Sequence, residues 1–273
     1  FGALLSKGAD NTYSYGIDFF RVLESITNDA ELKQVKPNHI IPEAVAYPET
    51  QFYYLSNKQH FFLAAKGGYN AESHNHNDAG TFSLWIDETP VFIDAGVGTY
   101  TRQTFGKERY TIWTMRSNYH NLPSINGFEQ KFGKEFKATK VDFNAKKKTL
   151  SMNIATAYSD SVAAKSWVRS YQLTDKELIV KDKFELNKSL AANEIHFMLW
   201  GDIQMREGEV LMNVQGKKVA MTYDKNVFEA SLETILLNDP RLSGVWGKEI
   251  YRLTLKAKKP QLKGEYTYKI SRK

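Results

Sequence analysis

Three of the six histidines in this 273-residue chain fall between Ser73 and Asn121. His74 and His76 stand one residue apart in Ser73-His74-Asn75-His76-Asn77-Asp78-Ala79-Gly80. If that stretch is extended, both imidazoles project from one face. Asp94 follows His76 by eighteen residues, after the apolar run Val91-Phe92-Ile93 and before Ala95-Gly96. A carboxylate closing a buried strand is costly unless it is paired or binds a metal. His120 comes next, in Arg116-Ser117-Asn118-Tyr119-His120-Asn121. Two histidines and one aspartate from separate strands can supply three ligands and leave a fourth position open. Zn²⁺ suits such a set, with Mn²⁺ or Ca²⁺ as alternatives. The same residues also read as a hydrogen-bonded loop, a turn cap before Gly96 and a satisfied core histidine. His39, His60 and His196 have no acidic or histidine neighbour at ligand spacing and read as structural.

The same window holds Tyr100, Arg109, Tyr110, Trp113, Arg116 and Tyr119, flanked by Gly96, Gly98 and Gly106. It reads as a long irregular segment between strands, where sites on rigid sheets tend to sit. A tyrosine beside a cation can move protons, although its pKa of about 10 requires tuning. Arginine presents a forked donor that fits a carboxylate. Exposed tyrosine and tryptophan can stack on sugar rings, but most of the 15 Tyr and 16 Phe are core.

The elements that would position these groups are mainly strands. Runs rich in β-branched and aromatic residues cover 51–56, 60–66, 81–87, 91–94, 137–143 and 149–154. Others cover 166–173, 177–185, 194–200, 209–214, 217–223, 249–256 and 266–271. In 166–173, Trp167, Arg169, Tyr171 and Leu173 share one face. Turn signals at 87–89, 146–148, 174–176 and 215–216 link neighbouring runs as hairpins. This pattern predicts an all-β fold, an antiparallel β-sandwich of two stacked sheets with a short N-terminal helical segment. Residues 1–42 are expected to be that helical segment and a linker, and 43–273 the sandwich. The helix is read up to about Lys36, with Asp10 or Asn11 as a cap. Its apolar stripe comprises Ile17, Phe20, Leu23 and Ile26, widened by Phe19 and Val22. Pro37 and Pro42 mark the linker.

Composition closes off several classes. With 42 % apolar residues and a net charge of +6, the chain is not a disordered polyelectrolyte. The absence of cysteine excludes disulfide scaffolds, thiolate nucleophiles and Cys-ligated metals. No apolar run is long enough to span a bilayer. The charge excess does not read as a nucleic-acid surface, because residues 64–130 carry net −2 and the +8 elsewhere is scattered lysine. No leader is read at the start, and a chain beginning at Phe1 is expected to be processed or truncated.

The ordered set Ser-His-Asn-His-Asn-Asp-Ala-Gly, Phe92-Ile93-Asp94-Ala95-Gly96, Tyr100, Arg116 to His120-Asn121, and Asn126-Gly127-Phe128-Glu129-Gln130 resembles the heparinase II/III-like family. The motifs span residues 69–130, and the later strands carry none. The resemblance implies a polysaccharide lyase acting on uronic-acid polymers of the heparan sulfate or alginate kind. It implies an upstream (α/α) toroid in the same parent chain, with the cleft between toroid and sandwich. By the same resemblance His76, Asp94 and His120 are metal ligands. His74 and Tyr110 are catalytic candidates, while Tyr100 and Arg116 contact the acidic sugar. Periplasmic or secreted location is implied on the same ground, as is weak or absent activity without the toroid. Two alternatives remain open. One is a noncatalytic carbohydrate-binding sandwich with a structural metal. The other is a metal-dependent hydrolase using Asp78 or Glu129 as base.

Overall fold

The computed structural model describes residues 19–34 and 42–273. They belong to two units, one ending at Pro42 and the other running from Glu43 to Lys273. In the first, a helix spans Phe19–Leu32. Phe19, Phe20, Leu23 and Ile26 are exposed on it. The expected cap at Asp10 or Asn11, and Ile17, Pro37 and His39, lie outside the described residues.

The second unit is the expected sandwich. One sheet has nine strands, in the spatial order Ala44–Tyr47, Phe52–Ser56, Phe61–Lys66, Phe82–Ile86, Thr89–Phe92, Glu194–Leu199, Glu249–Ala257 and Phe228–Leu236. Its ninth strand, Pro123–Ser124, also pairs with Glu194–Leu199. The other sheet has eight strands, ordered Asp202–Arg206, Glu209–Val214, Lys217–Thr222, Lys263–Arg272, Glu177–Leu186, Ala164–Leu173, Thr149–Asn153 and Thr139–Asn144. A two-stranded ribbon pairs Tyr69–Asn70 with Gly133–Lys137. The strand pairs are antiparallel, as short hairpin links allow. Gln215 and Gly216 both have positive φ, at 50° and 82°. That is the twist a two-residue hairpin turn needs.

Alternation decides which side chains fill the space between sheets. Along Ala164–Leu173 the residues Trp167, Arg169, Tyr171 and Leu173 are all buried, as their shared face predicts. Tyr171 meets Phe82 from the opposite sheet at 5.5 Å between ring centroids, and Tyr268 meets Phe197 at 5.2 Å. Arg169 is fully buried in this core and forks onto Asp182 at 2.8 and 2.7 Å. Asp182 also accepts the Trp167 indole N–H at 2.8 Å.

Some boundaries differ from the sequence reading. The strand expected to reach Asp94 ends at Phe92, so Asp94 sits two residues into the following loop. The run at 137–143 falls in two strands, Gly133–Lys137 and Thr139–Asn144, which meet at Ala138 and pair with different partners, Tyr69–Asn70 and Thr149–Asn153. Ala44–Tyr47, Pro123–Ser124, Asp202–Arg206 and Phe228–Leu236 are additional strands.

His196 is structural within this framework, with 2 % exposure. Its Nε2 lies 3.1 Å from Ser124 Oγ and its Nδ1 3.1 Å from Thr254 Oγ1. Burial, aided by Arg252, lowers its pKa to about 3. The folded value lies below that of the unfolded chain, so the neutral ring stabilises the fold above pH 6.5 and that stabilisation is lost as pH falls towards 3. In this window His196 is expected to contribute a slope of about 1.4 kcal/mol per pH unit. Denaturant titrations across the window should show a shallower slope for His196→Gln than for the unsubstituted protein. Identical slopes would contradict this account.

Candidate metal centre and adjoining cleft

The site grows out of one end of the nine-stranded sheet. The loop 67–81 leaves the strand Phe61–Lys66 and returns into Phe82–Ile86. Gly80 N–H donates to the Lys66 carbonyl at 2.9 Å, and Lys66 N–H donates to Thr81 at 3.0 Å, so the loop is closed at its neck. Gly80 has φ +87°, and a Cβ there would lie 2.5 Å from Ile154 Cγ2. Its carbonyl accepts from Tyr171 Oη at 2.6 Å. Gln130 grips the loop from outside. Its side-chain oxygen accepts from Ala79 N at 3.0 Å and its amide donates to Ala79 O at 2.7 Å. Gln130 N in turn donates to Ser117 Oγ at 2.9 Å.

His74 has φ 57° and is exposed. The stretch is therefore not extended, and the expectation of two imidazoles on one face is corrected: a left-handed residue at 74 sends the neighbouring side chains apart. His76 points inward. Asp94 approaches from the loop beyond Phe92. The Asn121 side chain anchors the segment carrying His120, donating to Phe82 O at 2.6 Å and Ile93 O at 3.1 Å. The carbonyl of Asn121 accepts from the buried Arg169 guanidinium. Four groups converge: His76, Asp78, Asp94 and His120 each offer a donor atom, all within 4.8 Å of one another.

The donor chemistry fits a divalent ion. His120 Nε2 faces the Thr114 carbonyl at 3.2 Å, a partner for a ring N–H. That leaves Nδ1 aimed into the cluster, 3.3 Å from Asp94 Oδ2. Nδ1 is buried and has no hydrogen-bond partner among the described residues. An imidazole held through its outer N–H by a backbone carbonyl is a common support for a metal-ligating histidine. Asp94 Oδ1 accepts from Gly96 N at 2.7 Å, which orients the carboxylate and leaves Oδ2 for the cluster. Its side chain keeps 36 % exposure.

The electrostatics keep the Asp94 carboxylate ionised despite its surroundings. Burial disfavours a charged His76, and neighbouring His120 adds to this, giving a pKa of about 4. Burial also opposes charge on His120, but Asp94 outweighs it and the net shift is upward. For Asp94 burial alone would raise the pKa; the His120 and His76 charges and the Gly96 N–H overcome this and hold it far below the usual carboxylate range.

Beside the cluster opens a cleft of about 580 Å³. His74, Arg109, Tyr110, Phe105 and Phe132 line it, with Glu72 on its wall. Arg109 donates to the carbonyls of Thr104 and Asn75, both at 2.8 Å. Tyr110 Oη donates to Asn75 Oδ1 at 2.9 Å, and its ring stacks on Phe132 at 4.6 Å. Burial raises the pKa of Tyr110 although Arg109 opposes it, so the phenol remains a proton donor at neutral pH.

The remaining sequence-named residues are placed differently. Arg116 turns its guanidinium onto Glu129, with Nε 3.1 Å from Oε2 and Nη2 on Oε1. The fork expected to meet an acidic sugar is thus taken up within the chain, and Glu129 is not free as a base. Tyr100 is exposed and packs under Arg241 at 4.9 Å and against Phe105 at 5.5 Å, next to the cleft residues rather than among them. Asp78, weighed from sequence only as a hydrolytic base, joins the ligand cluster. Lys66 was not singled out. Its Nζ lies 2.7 Å from Asp78 Oδ1 and 3.0 Å from Glu72 Oε2. Burial opposes its charge, but these two carboxylates raise its pKa overall.

Comparison with known proteins adds the family context. The family model described as heparinase II/III-like, C-terminal, matches residues 41–242. No curated protein matches the chain. The structure superposes on heparan sulfate lyase HepC from Pedobacter heparinus with a TM-score of 0.67 and 18 % identity, over 93 % of this chain and 40 % of that one. A heparinase III gene product gives 0.70 and 14 %, over 93 % and 41 %. A 4-α-glucanotransferase from Thermococcus litoralis gives 0.53 and 13 %, over 85 % and 40 %. The chain thus spans about two fifths of each of these solved structures, and at such identities the likeness shows the fold. A transferase shares it, so fold does not decide chemistry.

Proposed function

The chain belongs to the heparinase II/III-like C-terminal family, and from that premise we propose that it forms the sandwich wall of a polysaccharide lyase that cleaves uronic-acid polymers by β-elimination. The observation that carries the reading is a cleft holding His74 and Tyr110 directly beside the His76, Asp94, His120 cluster. His76, Asp94 and His120 would hold a divalent ion, with Zn²⁺ favoured by two imidazoles and a carboxylate. Bound there, the ion supplies fixed positive charge that neutralises Asp94 and ties three segments together. An upstream helical domain of the same parent chain completes the cleft, and the isolated chain is weakly active or inactive. The parent acts in the periplasm or outside the cell.

In this proposal a base takes the proton α to the uronate carboxylate. The electron pair forms the C4–C5 double bond as the C4–O bond breaks, and an acid returns a proton to the departing oxygen. His74, exposed on the cleft wall, is the imidazole placed to abstract that proton. Tyr110, kept protonated by burial, suits protonation of the leaving oxygen. Donors aimed at the carboxylate stabilise the charge that develops there.

In a parent chain that includes the helical domain, His74→Ala is expected to lower kcat by about 10²–10⁴-fold with little change in substrate binding. The ultraviolet absorbance of the unsaturated uronate product measures this. Weakened association with unchanged turnover supports instead a noncatalytic sugar-binding wall. The exposed rings of Phe105 and Phe132, at 70 % and 50 %, favour that second reading.

A further inference from the structure

We infer that Lys66 is an internal counter-cation that competes with a bound divalent ion for Asp78 and so limits how tightly the centre holds metal. The inference rests on the metal reading above and deepens it. Lysine is almost never buried unless paired. Lys66 and Asp78 each retain only 10 % side-chain exposure, and their 2.7 Å contact is made where solvent screens little. Exposed pairs such as Lys165–Glu185, at 61 % and 51 %, are of a different kind.

Two features keep the ammonium in place. The backbone of Lys66 is bonded on both sides to the neck of the loop carrying Asp78, through Gly80 N and Thr81 O. Glu72 Oε2 holds the same Nζ at 3.0 Å, and Glu72 Oε1 is itself fixed by Tyr69 N at 3.2 Å. The cation therefore cannot swing into water without breaking two ion pairs. Asp78 meanwhile has a donor atom within 4.8 Å of those of His76, Asp94 and His120. A metal drawing on Asp78 must share a carboxylate already engaged by a full positive charge, and must tolerate that charge nearby. The three-ligand set of His76, Asp94 and His120 is what remains undisputed.

The test is Zn²⁺ titration of the unsubstituted protein, Lys66→Met, Asp78→Asn and the double variant, with affinity read by competition against a chromophoric chelator. Lys66→Met is expected to tighten Zn²⁺ binding by about tenfold or more, within the range by which outer partners tune such sites. Asp78→Asn alone should change affinity less than it does in the Lys66→Met background, so the two substitutions couple. Should Lys66→Met not fold, Lys66→Gln removes the charge while keeping a donor and is expected to act in the same direction. Unchanged or weaker binding in the folded Lys66 variants overturns the inference while leaving the metal centre standing. No binding by the unsubstituted protein or any variant overturns both.

Discussion

Arg169→Met is expected to lower the unfolding free energy by about 3–5 kcal/mol, because it strands a buried carboxylate. Asp182 is fully buried and, among the described residues, would keep only the Trp167 indole N–H as partner. The lost guanidinium also leaves the Asn121 carbonyl without its donor. The double change Arg169→Met/Asp182→Leu removes both charges and is expected to recover much of the loss. Recovery should remain incomplete, because the Trp167 N–H is then unsatisfied, at a cost of about 1–3 kcal/mol. Denaturant midpoints for the three proteins measure this. A loss under about 1 kcal/mol for Arg169→Met would show that the pair adds little beyond its own volume.

Zn²⁺ is expected to raise the melting temperature in a concentration-dependent way, and His120→Ala to abolish that response. Preferential binding to the folded state adds about 4 kcal/mol when free ion exceeds the dissociation constant a thousandfold. His120 Nδ1 is a buried donor atom of the cluster with no hydrogen-bond partner among the described residues, so its removal should weaken binding by more than the roughly 100-fold typical of an outer-shell change. Calorimetric scans with Zn²⁺ and with chelator decide it. Equal melting temperatures in the two conditions would remove the metal reading.

Much of the fold was legible because a half-buried strand writes its period into the sequence. Ala164–Leu173 is the clearest case, down to Arg169 facing inward with three aromatic or aliphatic neighbours. The strands that escaped notice lack that signature. Pro123–Ser124 is only two residues long, and Asp202–Arg206 and Phe228–Leu236 lie at sheet edges with much of their surface in water. The site was legible in part. His76, Asp94 and His120 do converge, as their residue types and the motif order suggested. The divergence of His74 from His76 was hidden, because it depends on one left-handed residue that nothing in a His-x-His spacing announces. Lys66 was hidden for a different reason: a lysine at the end of an apolar run reads as the point where a strand reaches solvent. Only the returning loop shows that its head group meets Asp78 and Glu72.

The grip of Gln130 on both backbone atoms of Ala79 involves no donor atom of the convergent cluster. The scaffold is thereby insulated from the identity of any ion the cluster could hold: exchanging an imidazole for a carboxylate at position 76 would change the donor set without dismantling the loop that presents it.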